Sequence, residues 1–132
     1  MSRTLLIIKP DATERNLIGH IVSRVERARF TIADMRMVRL SKSDARRFYS
    51  VHEGEPFLDK LVEFMSSAPV VIMVLEKENA VQDLRALVGT TDPTKAPCGT
   101  LRYEIGRNIR ENSVHASDSD ASADREIAFF FS

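Results

Sequence analysis

Val70-Val71-Ile72-Met73-Val74-Leu75 limits the fold of this chain more than any other stretch. The run is unbroken, apolar and rich in β-branched side chains, the composition of a strand inside a sheet. Leu5-Leu6-Ile7-Ile8 is a second continuous run, stopped by Pro10, and reads as a strand buried on both faces. Every other element has to be arranged around these two strands.

Ile18, Ile21, Val22, Val25 and Ala28 recur at helical spacing, with Arg24, Glu26 and Arg27 opposite. Phe30 to Leu40 reads as a strand whose alternation slips phase near Asp34, as a bulge or two-sided burial would cause. Ser41-Lys42-Ser43-Asp44 has the form of a helix start, and Ala45, Phe48 and Tyr49 carry the apolar side that follows. Gly54 and Pro56 interrupt; Phe57, Leu58, Leu61, Val62 and Met65 resume. Asn79 is expected to cap a helix with Ala80, Val81, Leu84, Leu87 and Val88 on its core side, closed by Gly89. From Thr90 to Glu111 periodicity fails, which predicts a functional loop of about twenty residues. A short strand near Asn112 to Val114 and a helix from Asp120 to Phe130 complete the chain.

Without the inserted helical pair and the loop, the order is βαββαβ, the ferredoxin-like arrangement. The expected architecture is α+β: a four-stranded antiparallel sheet with helices packed on one face, the other face left for a site or an interface. With 132 residues and no repeat, low-complexity tract or linker, residues 1–132 read as a single domain. Nineteen basic and nineteen acidic side chains cancel, so no overall field draws the protein to nucleic acid or an anionic membrane. No stretch approaches the ~20 apolar residues of a membrane span. Cys98, the single cysteine, cannot form an intramolecular disulfide, which fits a reducing, cytoplasmic compartment.

Asn112-Ser113-Val114-His115-Ala116-Ser117-Asp118-Ser119 places an imidazole among small and polar residues with no packing pattern to explain it. Largely neutral near pH 7, such a histidine serves as metal ligand, general base or nucleophile. No second histidine or cysteine stands beside it at ligand spacing, which weighs against metal. Lys9-Pro10-Asp11 ends the first strand, Arg85 lies at the solvent edge of an apolar stripe, and Thr91 and Arg102 fall in the long loop. Singly, each has an ordinary reading; likewise His20 reads as surface, His52 as core-edge or site-edge with the structural reading favoured, and Cys98 as incidental. Together, Lys9, Arg85 and Arg102 supply local positive charge, arginine suited to bidentate phosphate contact and lysine acting as a point charge. Neither Gly-x-x-x-x-Gly-Lys-Ser/Thr nor Gly-x-Gly-x-x-Gly occurs, so side chains must hold any phosphate. With a histidine among them, covalent phosphoryl transfer is favoured.

Ile7-Ile8-Lys9-Pro10-Asp11-Ala12 and the His115 segment resemble the hallmark segments of nucleoside diphosphate kinases. The similarity runs in order through Glu55-Pro56-Phe57, Pro69-Val70-Val71, Thr91-Asp92-Pro93, Gly99-Thr100-Leu101-Arg102 and Arg125-Glu126-Ile127-Ala128. It covers essentially the whole chain, in the manner of the short bacterial type. The resemblance implies ping-pong transfer of the γ-phosphate from a nucleoside triphosphate, mainly ATP, to a nucleoside diphosphate, maintaining NTP and dNTP pools. It implies a phosphohistidine on Nδ1 of His115, with Ser117 and Glu126 orienting the ring and Lys9 and Tyr49 in the catalytic set. Lys9 and Asn112 would reach the ribose 3′-hydroxyl, Arg85, Thr91 and Arg102 the distal phosphates, and Phe57 and Ile109 the two faces of the base. Magnesium would arrive on the nucleotide, with no protein metal ligand of its own. A homotetramer is implied, with a hexamer as the alternative and no stable nucleic-acid or membrane partner.

Two departures stand out. Ala116 occupies the family's usual glycine position, strained if that position needs positive φ and otherwise only narrowing the pocket. Tyr103-Glu104-Ile105 replaces Gly-Asp-Phe or Ala-Asp-Phe. The fold also suits a nucleotide-binding regulator without turnover, or an interaction or nucleic-acid-binding module. Intact Lys9, Asn112 and His115 argue against the first, and neutral charge against the second.

Overall fold

Strand β1 (Ser2–Ile8) lies between β3 (Val70–Lys77) and β4 (Val114–Ala116), and β2 (Thr31–Val38) pairs with the far side of β3. All three pairings are antiparallel, in the order β2-β3-β1-β4. The computed structural model describes residues 1–131. Between the strands lie α1 (Pro10–Glu14), α2 (Ile18–Arg27), α3 (Lys42–Phe48), α4 (Leu58–Met65), α5 (Ala80–Val88) and α6 (Leu101–Ile105), and α7 (Asp120–Phe131) follows β4. Single 3₁₀ turns occupy Ser50–His52 and Pro93–Lys95. This is the ferredoxin-like α+β sandwich, with α3 and α4 inserted between β2 and β3.

Alternate residues of β1 serve two cores. Leu6 and Ile8 pack with Ile21, Val25, Leu84, Val88 and Leu101. Leu5 and Ile7 pack on the other face with Phe48, Leu58, Val62, Met65 and Ile127. Both faces are therefore covered by helices, not one as expected from the minimal βαββαβ order. The reason lies in the strands themselves: β1 and β3 are apolar on both sides, and α3, α4 and α7 carry the stripes that cover the second side. The terminal Phe129-Phe130-Phe131 is part of that cover, and the Arg36 guanidinium sits 4.4 Å from the Phe131 ring centroid.

Local signals were obeyed in most places. The β2 register jumps from Ile32–Leu75 to Asp34–Val74, the slip visible in the alternation. Ser41 accepts from the Asp44 amide and starts α3. Gly89 closes α5 at φ +92°, where an added Cβ would lie 2.6 Å from Thr100 Oγ1.

Others were not. Asn79 takes a left-handed φ of +53° and its side chain caps nothing; the Ala80 amide is satisfied by Ser2 Oγ at 2.8 Å. Pro10 not only ends β1 but opens α1, where its missing N–H costs nothing. The expected loop from Thr90 to Glu111 contains the Pro93–Lys95 turn and α6, elements too short for periodicity to reveal. The last strand lies two residues beyond its expected place, at Val114–Ala116, and that shift positions the site.

Candidate active site

His115 is the middle residue of β4, directly across from Ile7. Its ring meets Phe48 and Tyr49 in T-shaped contacts, with centroid distances of 5.3 and 6.0 Å. Nε2 lies 2.9 Å from Glu126 Oε1, and Ser117 Oγ donates to the same oxygen at 2.7 Å. A carboxylate can only accept, so Nε2 carries the hydrogen, and in the neutral ring the lone pair is then on Nδ1. Burial pushes the Glu126 carboxyl up. The hydrogen bond and charge of His115, with the Ser117 hydroxyl and Arg125, outweigh that and hold it below the usual carboxylate range.

Lys9 follows the end of β1 and is buried. Its Nζ donates to Asn112 Oδ1 at 2.9 Å and to the Arg110 carbonyl at 3.4 Å. Burial, then the charge of Arg102, lower the ammonium to about 8 against an opposing pull from Asp11. Asn112 spends both amide hydrogens on the Thr91 and Ile109 carbonyls, each at 2.9 Å. Arg102, on α6, donates to the Gly89 carbonyl at 2.9 Å and the Val114 carbonyl at 2.8 Å. Its Nε is buried without a partner among the described residues. Burial and neighbouring Arg85 lower this guanidinium to about 10, with Tyr49 opposing. Arg85, exposed on α5, reaches the Ala116 carbonyl at 3.4 Å. The Tyr49 hydroxyl is likewise buried without a partner among the described residues. Burial first, then the charge of Glu126, push it far above an ordinary phenol, with Arg102 opposing.

These side chains share one cavity of about 920 Å³, within the size range of small-molecule sites. Lys9, Tyr49, Phe57, Arg85, Thr91, Arg102, Ile109, Asn112, His115 and Glu126 all line it. Ser117 does not; it is fully buried and acts on Glu126 from behind. Phe57 and Ile109 are 44% and 61% exposed and stand at the cavity's open side.

Arg107, Arg110, Ser122 and Arg125, which the sequence does not single out as site residues, also line the cavity, as does Asp118 from the histidine segment. Their only local signal was charge or polarity near the histidine segment. With them the cavity carries six Lys and Arg against three carboxylates, Asp92, Asp118 and Glu126, although the whole chain is neutral. His52 is not merely structural: it stacks on Tyr49, meets the Phe57 ring at 5.1 Å and lines the same cavity. His20 lies outside it, paired with Glu104 at 2.6 Å. Among the described residues, no three His, Cys, Asp or Glu side chains cluster to hold a metal ion.

Ala116 is not among the residues with positive φ, which among the described residues, apart from glycines, are Asn16, Arg29, Asn79 and Ser113. Its methyl therefore faces no backbone strain. Ala116→Gly is expected to lower stability by about 0.5–1 kcal/mol, the entropic cost of glycine in a strand, with kcat within a few-fold of the parent. Denaturant unfolding and steady-state assay check this; a large rise in kcat would show that the methyl obstructs the chemistry.

An imidazole and several cations lining one cavity, with an aromatic ring at the open side, suit attack on the phosphate of a nucleotide. Fold and pocket thus define a phosphotransferase. The family model described as nucleoside diphosphate kinase matches residues 2–132. The nucleoside diphosphate kinase of Histophilus somni strain 2336 is 53% identical over 131 residues, covering 99% of this chain and 93% of its own. That of Geobacter sulfurreducens is 53% identical over 132 residues, covering 100% and 96%. Among solved structures, the Aquifex aeolicus nucleoside diphosphate kinase superposes with a TM-score of 0.96 at 43% identity, covering 99% of this chain and 95% of that one. A halophilic nucleoside diphosphate kinase from Halobacterium salinarum, in complex with CDP, gives 0.96 at 39% identity, covering 98% and 87%. The chain belongs to the nucleoside diphosphate kinase family.

Proposed function

We propose that His115 Nδ1 attacks the γ-phosphorus of a bound nucleoside triphosphate, chiefly ATP, and passes the phosphoryl group to a nucleoside diphosphate in a second half-reaction. An N–P bond forms as the bond to the β-phosphate oxygen breaks; the reverse displacement, with a new diphosphate as acceptor, regenerates the free imidazole. The observation that carries this reading is the Nε2–Glu126 hydrogen bond, which assigns the lone pair of the neutral ring to Nδ1 in a cavity lined by six Lys and Arg side chains. Ser117 and Glu126 orient the ring, and the carboxylate stabilises the positive charge that the ring acquires on phosphorylation.

Arg85 and Arg102 repel one another, and a polyphosphate between them relieves that repulsion. Their charge, with that of Lys9, falls where the loose transition state spreads negative charge over the phosphoryl oxygens. The Thr91 and Tyr49 hydroxyls add donors; Lys9 and the free lone pair of Asn112 Oδ1 suit the ribose 3′-hydroxyl. Phe57 and Ile109 take the two faces of the base. A clamp that reads π-faces at the open side accepts any base. The CDP bound to the Halobacterium salinarum relative supports a nucleotide in this cavity. Magnesium belongs to the substrate in this reading and would neutralise phosphate charge when it arrives with the nucleotide.

Residues 1–132 act as one domain. The exposed Met35 and Met37 on the outer strand β2 support association of copies, as a homotetramer with a hexamer as the alternative, which sedimentation velocity reads directly. No described helix is long and apolar enough to cross a membrane. The exposed free Cys98 supports a cytoplasmic site, and fractionation tests it.

Incubation with γ-labelled ATP and magnesium is expected to give an acid-labile, base-stable phosphoprotein that discharges to GDP. Label that fails to discharge would favour a regulator, and no label an interaction module. Glu126→Gln, which no longer dictates the tautomer, is expected to lower the phosphorylation rate by about 10²–10⁴-fold with little change in nucleotide affinity, by analogy with other orienting carboxylates. Rapid-quench labelling separates the two parameters.

A further inference from the structure

Behind the cavity lies a carboxylate that the chemistry above does not use. Asp11, in the first turn of α1, has a fully buried side chain. Its Oδ2 accepts from Ser113 Oγ at 3.1 Å and from the Arg15 guanidinium at 3.4 Å. Arg15 also donates to the Ile105 carbonyl at 2.6 Å, at the end of the helix that carries Arg102. Ser113 adjoins Asn112, holds a φ of +78°, and accepts the Lys9 backbone N–H at 2.9 Å. One buried knot therefore touches the three segments that deliver Lys9, Asn112 and Arg102.

We propose that Asp11 is a positioning residue for phosphoryl transfer, locking Asn112 and α6 in register with Lys9 through Ser113 and Arg15 and keeping the buried Lys9 ammonium charged. Serine at positive φ is unfavourable unless its surroundings over-determine it, and the Asp11 and Lys9 contacts do so. The electrostatic part follows from what faces Lys9. Arg102 projects from α6 and Arg85 from α5, and Arg107, Arg110 and Arg125 add positive charge to the same cavity; Tyr49, His52, Asp92, His115 from β4, Asp118 and Glu126 from α7 complete its titratable lining. Asn112 and the Arg110 carbonyl are neutral partners. Asp11 is the carboxylate whose charge opposes burial and Arg102 at the ammonium.

The inference rests on the role proposed for Lys9, and its test keeps the two apart. The measurement is the pH profile of kcat/KM for ATP with CDP as acceptor, whose base has no ionisation near the range of interest. The parent is expected to lose activity as Lys9 deprotonates near pH 8. Asp11→Asn should move this alkaline limb down by about one pH unit, a further loss of about fivefold at pH 8. Arg15→Gln removes the cation that neutralises Asp11 and leaves the carboxylate, so its limb should move up while the rate falls at every pH. A purely structural knot would lower rate or melting temperature in both variants without shifting either limb, and that result overturns the proposal. Should Asp11→Asn not fold, Arg15→Gln decides alone: a limb unmoved or moved downward overturns it. Lys9→Gln supplies the control. If it keeps parental activity and limb, the role of Lys9 fails; if it abolishes the limb while the other two variants leave theirs in place, only the inference about Asp11 fails.

Discussion

His115→Ala is expected to lose ATP-to-GDP exchange by on the order of 10⁴-fold or more, the scale found when a covalent enzyme loses its nucleophile. No neighbouring group replaces it: Glu126 is already engaged by Ser117, and the Tyr49 phenol is pushed far above its ordinary range by burial and by the charge of Glu126. The acid-labile label should vanish with the activity. The fold should survive, because the ring is 19% exposed, packs edgewise on Phe48 and Tyr49, and leaves Glu126 with the Ser117 hydroxyl as partner. Circular dichroism and thermal melting confirm that the comparison is between folded proteins. Appreciable exchange by this variant would sink the assignment of the nucleophile.

Arg102→Ala is expected to damage both rate and stability, and the geometry separates the causes. Loss of one positive group aimed at the transferring phosphoryl should lower kcat by about 10²–10³-fold. The same side chain satisfies the Gly89 and Val114 carbonyls, and leaving two such acceptors without their donor costs about 1–3 kcal/mol each where water cannot reach. Val114 precedes His115, so the damage reaches the strand that carries the nucleophile. Arg85→Ala is the contrast: that residue is exposed and makes one 3.4 Å contact to the Ala116 carbonyl. It should lower the rate with little effect on denaturant unfolding. An Arg102→Ala protein as stable as the parent would mean the two carbonyl bonds contribute nothing; one as active would remove Arg102 from the phosphate set.

Both predictions draw on facts of different origin. That His115, Arg102, Lys9 and Arg85 belong together was visible in residue types, missing glycine loops and family resemblance. That Arg102 holds the Val114 carbonyl of β4 at 2.8 Å while Arg85 reaches the Ala116 carbonyl of the same strand only at 3.4 Å was not visible, because a guanidinium on a five-residue helix has no periodic context. The same limit hid α1 and α6, each a single turn or little more, and hid which side chain caps α5, whose start at Asn79-Ala80 was legible. There the local candidate Asn79 stands idle and the cap comes from Ser2, far away in sequence but adjacent across the sheet. The β2 bulge, the Ser41 cap and the Gly89 stop were legible because each is written within a few residues.

By itself, the sequence determined the strands, the main helices and their βαββαβ order, and marked out Lys9, Arg85, Arg102 and His115 as candidates for one site. Apolar periodicity, β-branching and capping act over one turn or one strand, so they survive in the order of residues. Only the tertiary structure decided that both sheet faces are covered, that Nε2 of His115 is the nitrogen paired with Glu126, and that a neutral chain owns a cationic cavity. Those properties arise from pairs such as Lys9 with Asn112 and His115 with Glu126. Burial and charge at such contacts depend on distance in space, and distance along the chain does not encode it.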